Sequence, residues 1–97
     1  MHVEARNGTV TLKKLEGSFA VRDAERIAEL IRSLAPFSRL VLDFTAVREC
    51  DDAAFLPLVD TLKPLVGVAI VLRGLTRHEA RLLKYLGLSA TEGDARA

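Results

Sequence analysis

The segment "RLVLDFTAVRECDDAAFLPL", residues 39–58, decides the fold, because it passes from a strand through a loop into a helix. Residues 39–44 form a compact apolar run, which predicts a buried strand. The polar residues 45–52 predict a loop. From Ala53 onward the apolar pattern predicts a helix that continues to about Leu65. A strand followed closely by a helix is the building unit of an α/β domain.

The residues before this segment predict a hairpin and a first helix. Residues 2–6 and 9–13 alternate between polar and apolar side chains on either side of Asn7-Gly8. Asn-Gly is a strong hairpin signal, because both residues tolerate positive φ. Residues 17–18 are predicted to break the second strand. Apolar residues then recur at three- and four-residue intervals, which predicts a helix over 23–35.

The residues after the segment predict one more strand and one more helix. Residues 68–72, "VAIVL", form the clearest buried strand of the chain. Thr76 and Glu79 then form a T-x-x-E capping box, in which each side chain binds the backbone N–H of the other residue. The third helix is predicted to end at Gly87, because glycine is typical of left-handed C-terminal caps.

The order of these elements, β-β-α-β-α-β-α, predicts a small α/β domain. Its mixed sheet has about four strands, an N-terminal antiparallel hairpin followed by parallel β-α-β units, and it is packed with three helices. This single domain is predicted to span residues 1–88. Residues 89–97, "SATEGDARA", are small and polar, and they predict a flexible C-terminal tail.

The predicted strands leave one question open about the faces of the sheet. Residues 40–42 and 68–72 are apolar on both strand faces, and three helices need not cover both faces of a sheet. An uncovered apolar face would serve self-association, for example as a homodimer, or partner binding. Alternatively, loops and the N-terminal hairpin cover it.

Composition predicts a soluble domain of the cytoplasm. The 97 residues are 49% hydrophobic, which is enough for one core, and 14 basic residues balance 13 acidic ones. This near-neutral charge gives no reason to expect nucleic-acid binding. The single cysteine, Cys50, excludes an internal disulfide, and the start "MHVEARNGTV" lacks the features of a signal peptide. No apolar run approaches the roughly 20 residues of a membrane span.

The sequence contains little that predicts catalysis. A nucleophilic site needs a serine or cysteine close to a base, and the histidines are His2, at the start, and His78, in the first turn of the third helix. Cys50 lies beside two acids, and we expect it to be a small apolar side chain that fills space at the base of the loop rather than a nucleophile. Phosphate-binding glycine motifs are missing, so no cofactor is expected. We therefore expect no enzymatic activity and no catalytic residue.

The adjacent acids Asp51 and Asp52 have two interpretations. One or both cap the second helix by accepting its exposed backbone N–H groups. Alternatively, they join Asp43 in a magnesium-binding, receiver-like cluster. Because loops at the carboxyl ends of parallel strands share one edge, Asp43, the Asp51–Asp52 loop and Arg73 are expected in one neighbourhood. A receiver would carry an acidic pair after its first strand, which this chain lacks, so capping is favoured.

A basic stripe lies on the predicted third helix. Its members, Arg77, Arg81 and Lys84, recur at spacings of four and three residues. Such a stripe is suited to an anionic lipid surface or an acidic partner, but most stripes of this kind are only a solvated face. No aromatic side chains alternate with these residues, so nucleic acid is not expected as a ligand.

Over about residues 9–88 the chain resembles the STAS domain, a family named for sulfate transporters and anti-sigma-factor antagonists. The resemblance lies in "VTLKKLEGSF", "LVLDFTAVRECDDAAFLPL" and "VAIVLRGLTRHEARLLKYLGL", in this order and spacing. The central segment is similar to the family's strand, loop and helix, commonly of the form D-S-S-G-L. The resemblance implies a STAS-like fold and a non-catalytic switch module. This chain departs from the family after Leu88, where we expect the last strand and helix to be shortened or absent.

In bacterial STAS proteins of this kind, a kinase that is also an anti-sigma factor phosphorylates the second hydroxyl residue of D-S-S-G-L. On that pattern Asp51 takes the first position, Asp52 the first serine, and Ala53 the phosphoacceptor. Ala54 replaces the glycine and Phe55 the leucine. Alanine has no hydroxyl, so phosphorylation at that position is excluded. The resemblance therefore implies partner binding without the usual phospho-switch, with Asp52 as a permanent negative charge near the site.

The resemblance also indicates the surface and the classes of partner. The predicted partner-binding residues are Asp51, Asp52, Ala53, Ala54, Phe55, Thr45 and Arg73. Thr45 and Thr61 are the nearby hydroxyls, and neither matches the motif. One class of partner is an anti-sigma factor or kinase-like protein in a circuit that regulates transcription. The alternative is a transporter subunit, with this chain as the cytoplasmic accessory subunit of a lipid ABC transport complex.

Overall fold

Within residues 1–13 and 17–93, which the computed structural model describes, the chain forms seven strands and three helices. The strands are β1 (His2–Arg6), β2 (Thr9–Lys13), β3 (Gly17–Phe19), β4 (Arg39–Asp43), β5 (Val47–Cys50), β6 (Ala69–Arg73) and β7 (Thr91–Gly93). The helices are α1 (Val21–Leu34), α2 (Phe55–Leu62) and α3 (Arg77–Tyr85). None of these helices is long and apolar enough to cross a membrane.

The main sheet is mixed, as the sequence predicts. Among the described residues it has five strands in the order β1-β2-β4-β6-β7. The pair β1–β2 is antiparallel, and the other pairs are parallel. Asn7 and Gly8 both have positive φ, which closes the predicted hairpin. Strands β3 and β5 form a second, two-stranded parallel sheet.

Three short strands depart from the prediction. The loop expected over 45–52 contains β5, and residues 17–18, expected to break a strand, begin β3. The tail expected over 89–97 contributes β7, which pairs with β6 and raises the number of strands in the main sheet to five. Residues 94–97 lie outside the described part of the chain. Such short polar strands are held by backbone hydrogen bonds, which leave little signal in the side-chain pattern.

The helices differ from the prediction mainly at their ends. Helix α1 begins at Val21, two residues before the predicted start. Helix α2 is preceded by a turn of 3₁₀ helix over Asp52–Ala54, and it ends at Leu62 instead of Leu65. The capping box of α3 is confirmed, since the Thr76 side chain accepts from the Glu79 N–H and the Glu79 side chain from the Thr76 N–H.

The core lies between the helices and one face of the sheet. On the central strands Leu40, Leu42, Ile70 and Leu72 point to this side and are at most 7% exposed. Helices α1 and α2 add apolar side chains to the same cluster, among them Ala24, Ile27, Leu58 and Leu62. Leu83 of α3 completes it. The sheet and helices therefore share one continuous apolar core.

The alternate residues of the strands form the opposite face of the sheet, which we call the open face. Its centre is the row Thr11, Val41, Val71 and Thr91, which are register partners on neighbouring strands. A shallow cavity of about 420 Å³ lies over this row, and in the described part of the chain only strand residues line it. The sequence left open whether this face is covered. In the part of the chain that the structure describes, neither a helix nor the hairpin covers it, because β1 and β2 are themselves part of the sheet.

Leu42 provides a test of the core. It is fully buried and lies between Leu12 and Leu72 in register. Leu42→Ala should lower the free energy of unfolding by about 2–5 kcal/mol, because it removes apolar contacts and leaves a cavity. Chemical denaturation measures this value. Val66→Ala is the control, because Val66 is 94% exposed and its loss should stay within about 0.5 kcal/mol. Similar losses for both variants would contradict the assigned core.

Candidate functional site

Asp51 shapes the loop that leads into α2. Its backbone N–H donates to the carbonyl oxygen of Phe19, with an N–O distance of 2.9 Å, which fixes the loop to β3. Its side-chain Oδ1 accepts from the N–H of Ala53 at 3.0 Å. Its carbonyl oxygen accepts from the N–H of Ala54 at 2.9 Å. Asp51 is therefore the N-cap of the 3₁₀ turn, as the capping interpretation predicts.

Asp52 is held from a different part of the chain. Its Oδ2 lies 2.9 Å from Nε2 of His78, a residue 26 positions away in the first turn of α3. Both side chains are more than half exposed, so this pair contributes at most about 1 kcal/mol to stability. Its main effect is to tie the start of α2 to the start of α3. The sequence predicts the place of His78 in the first turn of the third helix, but it gives no indication of this partner.

The residues after Asp52 divide between surface and core. Ala53 is exposed, whereas Ala54 and Phe55 are fully buried. Ala54 and Phe55 pack into the core, so their predicted part in partner binding would be indirect, through the position of the turn. Leu56 was not among the predicted partner-binding residues, but it is 56% exposed and follows them directly. The start of α2 thus presents a carboxylate beside a small apolar surface.

Asp43 and Arg73 meet at the ends of β4 and β6, where they are register partners. The Asp43 Oδ1 accepts from both the N–H of Thr45, at 3.0 Å, and its hydroxyl, at 2.7 Å. The Arg73 carbonyl accepts from the N–H of Phe44 at 2.8 Å. Asp43 and Arg73 are therefore neighbours, as expected. Of the loop that was expected beside them, Asp51 bonds to Phe19 and Asp52 to His78.

Gly74 allows two loops to approach each other closely. It follows β6 with a φ of +77°, and a Cβ at this position would lie 2.5 Å from the backbone nitrogen of Thr45. Only glycine leaves this space. The backbone after β4 therefore rests directly on the backbone after β6.

The other candidates are placed as follows. Among the described residues no three of His, Cys, Asp and Glu lie close enough to hold a metal ion, so the receiver-like cluster gains no support. Cys50 is half-buried and packs against the core. The hydroxyl of Thr61 donates to the Pro57 carbonyl within α2. The stripe on α3 is fully on the surface, with Arg77, Arg81 and Lys84 all exposed.

Comparison with known proteins supports the fold. No family model and no curated protein matches this chain. Among solved structures it is similar to a chain of the stressosome, a complex described as a signal integration and transduction hub. The match covers 97% of this chain and 88% of the other, with 19% sequence identity and a TM-score of 0.60. At this identity the likeness concerns the fold alone, which is STAS-like, as the sequence resemblance predicts.

Substitution of Gly74 tests the close approach of the two loops. Gly67 has the same φ of +77° but open space around its Cβ position, so it is a matched control. Gly67→Ala should cost about 1–2 kcal/mol, from the left-handed backbone alone. Gly74→Ala should lower the free energy of unfolding by about 1–3 kcal/mol more than Gly67→Ala does, because the methyl group meets the backbone of Thr45. Equal losses in chemical denaturation would contradict this contact.

Proposed function

We propose that this chain is a regulatory protein-binding module of the STAS type that acts without the serine phospho-switch. The observation that carries the proposal is the exposed turn at the start of α2. Asp51 caps this turn, and Asp52 and Ala53 lie on its surface. These are the positions at which the family resemblance expects the phosphorylated segment. Here the acceptor position has no hydroxyl, while a carboxylate is always present beside it.

The chemistry of this surface favours a particular kind of contact. Asp52 offers a carboxylate that His78 holds in place, and Leu56 offers an apolar side chain one turn further along. A partner would match them with a hydrogen-bond donor or a cation beside an apolar pocket. A carboxylate carries about one negative charge and a phosphate nearly two, so Asp52 imitates a phosphorylated state only in part. The expected result is constant binding of one partner.

The class of partner follows from the same resemblance. An anti-sigma factor or a kinase-like signalling protein in the bacterial cytoplasm is the first candidate, with no catalytic step in this chain. The likeness to a stressosome chain supports a signalling assembly, although that role belongs to the other protein. Ala54 and Phe55 would act by positioning the turn from inside the core. Gene neighbours that encode kinases or sigma factors would favour this candidate.

One observation favours a second candidate function. The stripe Arg77, Arg81 and Lys84 is exposed along α3. Such a cationic helix suits an anionic lipid surface, as an accessory subunit of a lipid transport complex would need. Neighbouring permease and ATPase genes would favour this alternative. Vesicle binding that is lost in Arg77→Glu with Arg81→Glu would favour it as well.

Phosphorylation tests the missing switch directly. The purified chain, incubated with ATP and a kinase that phosphorylates STAS proteins, should keep its intact mass. Ala53→Ser restores a hydroxyl at the acceptor position and should gain the mass of one phosphoryl group. Failure of both proteins to react would leave the kinase in doubt, so an established STAS substrate serves as the positive control. Stoichiometric phosphate within residues 51–55 of the unaltered chain would overturn the proposal.

Charge reversal tests the binding surface. Candidate partners are recovered from the native cytoplasm, purified, and titrated against this chain by calorimetry. Asp52→Arg should weaken the complex about ten-fold or more, because it replaces a permanent negative charge at the proposed contact. Asp60→Arg is the matched control, since Asp60 is also exposed but lies at the other end of α2. Equal effects of the two variants would move the interface away from the start of α2.

A further inference from the structure

We propose that the open face of the main sheet binds an extended acidic segment of a partner polypeptide. This surface is separate from the start of α2 and goes beyond the function proposed above. The argument depends on the shape of the face, on its charges and on the spacing of its arginines.

The shape of the open face suits an extended chain. Its central row consists of small side chains, Thr11, Val41, Val71 and Thr91, and the cavity of about 420 Å³ lies above them. No aromatic side chain lines this cavity in the described part of the chain. Aromatic platforms are what single-stranded nucleic acids need for stacking, so this floor favours a polypeptide. The threonine hydroxyls can bond with its polar groups.

The charges of the open face leave two arginines available. Lys13 is engaged by Glu4, with an Nζ–Oε2 distance of 3.1 Å. The hydrogen bond and charge of Lys13 lower the pKa of Glu4, so this pair is formed at neutral pH. Asp43 accepts hydrogen bonds from the neutral Thr45, which leave its negative charge in place, and it does not line the cavity. Arg39 and Arg73 are exposed and form no ion pair with any carboxylate of the described residues.

Both arginines line the same cavity, which makes them a pair of anchors for one ligand. Glu92 also reaches the margin of this cavity, but it belongs to the edge strand and also lines a cavity beside α3. The planar guanidinium group binds carboxylates through two parallel hydrogen bonds. Acidic side chains are therefore the groups that this pair recognises.

The spacing of the arginines favours an extended ligand. Arg39 is the register partner of Ala69, and Arg73 lies four residues further along β6. At about 3.3 Å per residue, this separates the two positions by roughly 13 Å along the strand direction. Carboxylates four residues apart on an extended peptide have the same separation. A compact anion would reach both arginines only if their side chains folded inward over the valines.

Nuclear magnetic resonance on the full chain tests this inference. The probe is a synthetic peptide of about nine residues in which glutamate alternates with threonine, long enough to span both arginines. We expect saturable shifts centred on the amides of Thr11, Val41 and Val71. The double variant Arg39→Glu with Arg73→Glu should weaken binding about ten-fold or more. A peptide with lysine in place of every glutamate should not bind.

The matched control is Arg77→Glu with Arg81→Glu, which makes the same change of charge on α3. This control should bind the acidic peptide as the unaltered chain does, and both double variants should keep their free energy of unfolding. Shifts centred on α3 or on the start of α2 would overturn the proposal. So would the absence of saturable binding. Shifts of the open-face amides that depend on protein concentration without peptide would assign the surface to a second copy instead.

Discussion

The contact of three buried phenylalanines holds the candidate site in place. Phe19 packs edge-on against Phe44, with ring centroids 5.1 Å apart, and Phe55 lies 6.1 Å from Phe19. Phe19 ends β3, Phe44 directly follows β4, and Phe55 begins α2. Their packing joins the small two-stranded sheet to the main sheet and to the helix that carries the surface residues. Without it the cap at Asp51 would have no fixed base, because Phe19 also supplies the carbonyl that receives the Asp51 N–H.

Much of this arrangement was predictable, because it depends on strong local signals. The apolar runs of β4 and β6, the Asn7-Gly8 turn and the Thr76–Glu79 capping box each express a periodicity or a backbone preference. The mixed sheet and its three helices follow from these signals. The short strands β3, β5 and β7 were missed, since their stability comes from backbone pairing with partners elsewhere in the chain.

The candidate site was less predictable than the fold. The cap at Asp51 depends on residues next to it, and the sequence indicated it correctly. The contact of Asp52 with His78 and the approach of Gly74 to Thr45 join residues 26 and 29 positions apart, and such contacts exist only after the sheet has formed. The burial of Phe55 was also not predictable, because it too depends on the folded structure. A motif position marks it as part of the binding segment, but three-dimensional packing places it inside the core.

The two proposed surfaces differ in chemistry as well as position. At the start of α2 a carboxylate lies beside exposed apolar atoms, whereas the open face offers arginines around a floor of small side chains. Opposite charges at separate places allow one small domain to distinguish two partners. The core between them is continuous, so both surfaces stand on the same rigid support.

The edges of the main sheet have a consequence for where another chain can contact this one. Strand β7 has only three residues, so it exposes few unpaired backbone groups to another chain. At the opposite edge, β1 carries Glu4 and Arg6, whose charges discourage the addition of another strand. Growth of the sheet from molecule to molecule is therefore disfavoured at both ends. A binding partner is therefore expected at the faces and loops, where side chains rather than backbone groups would select it.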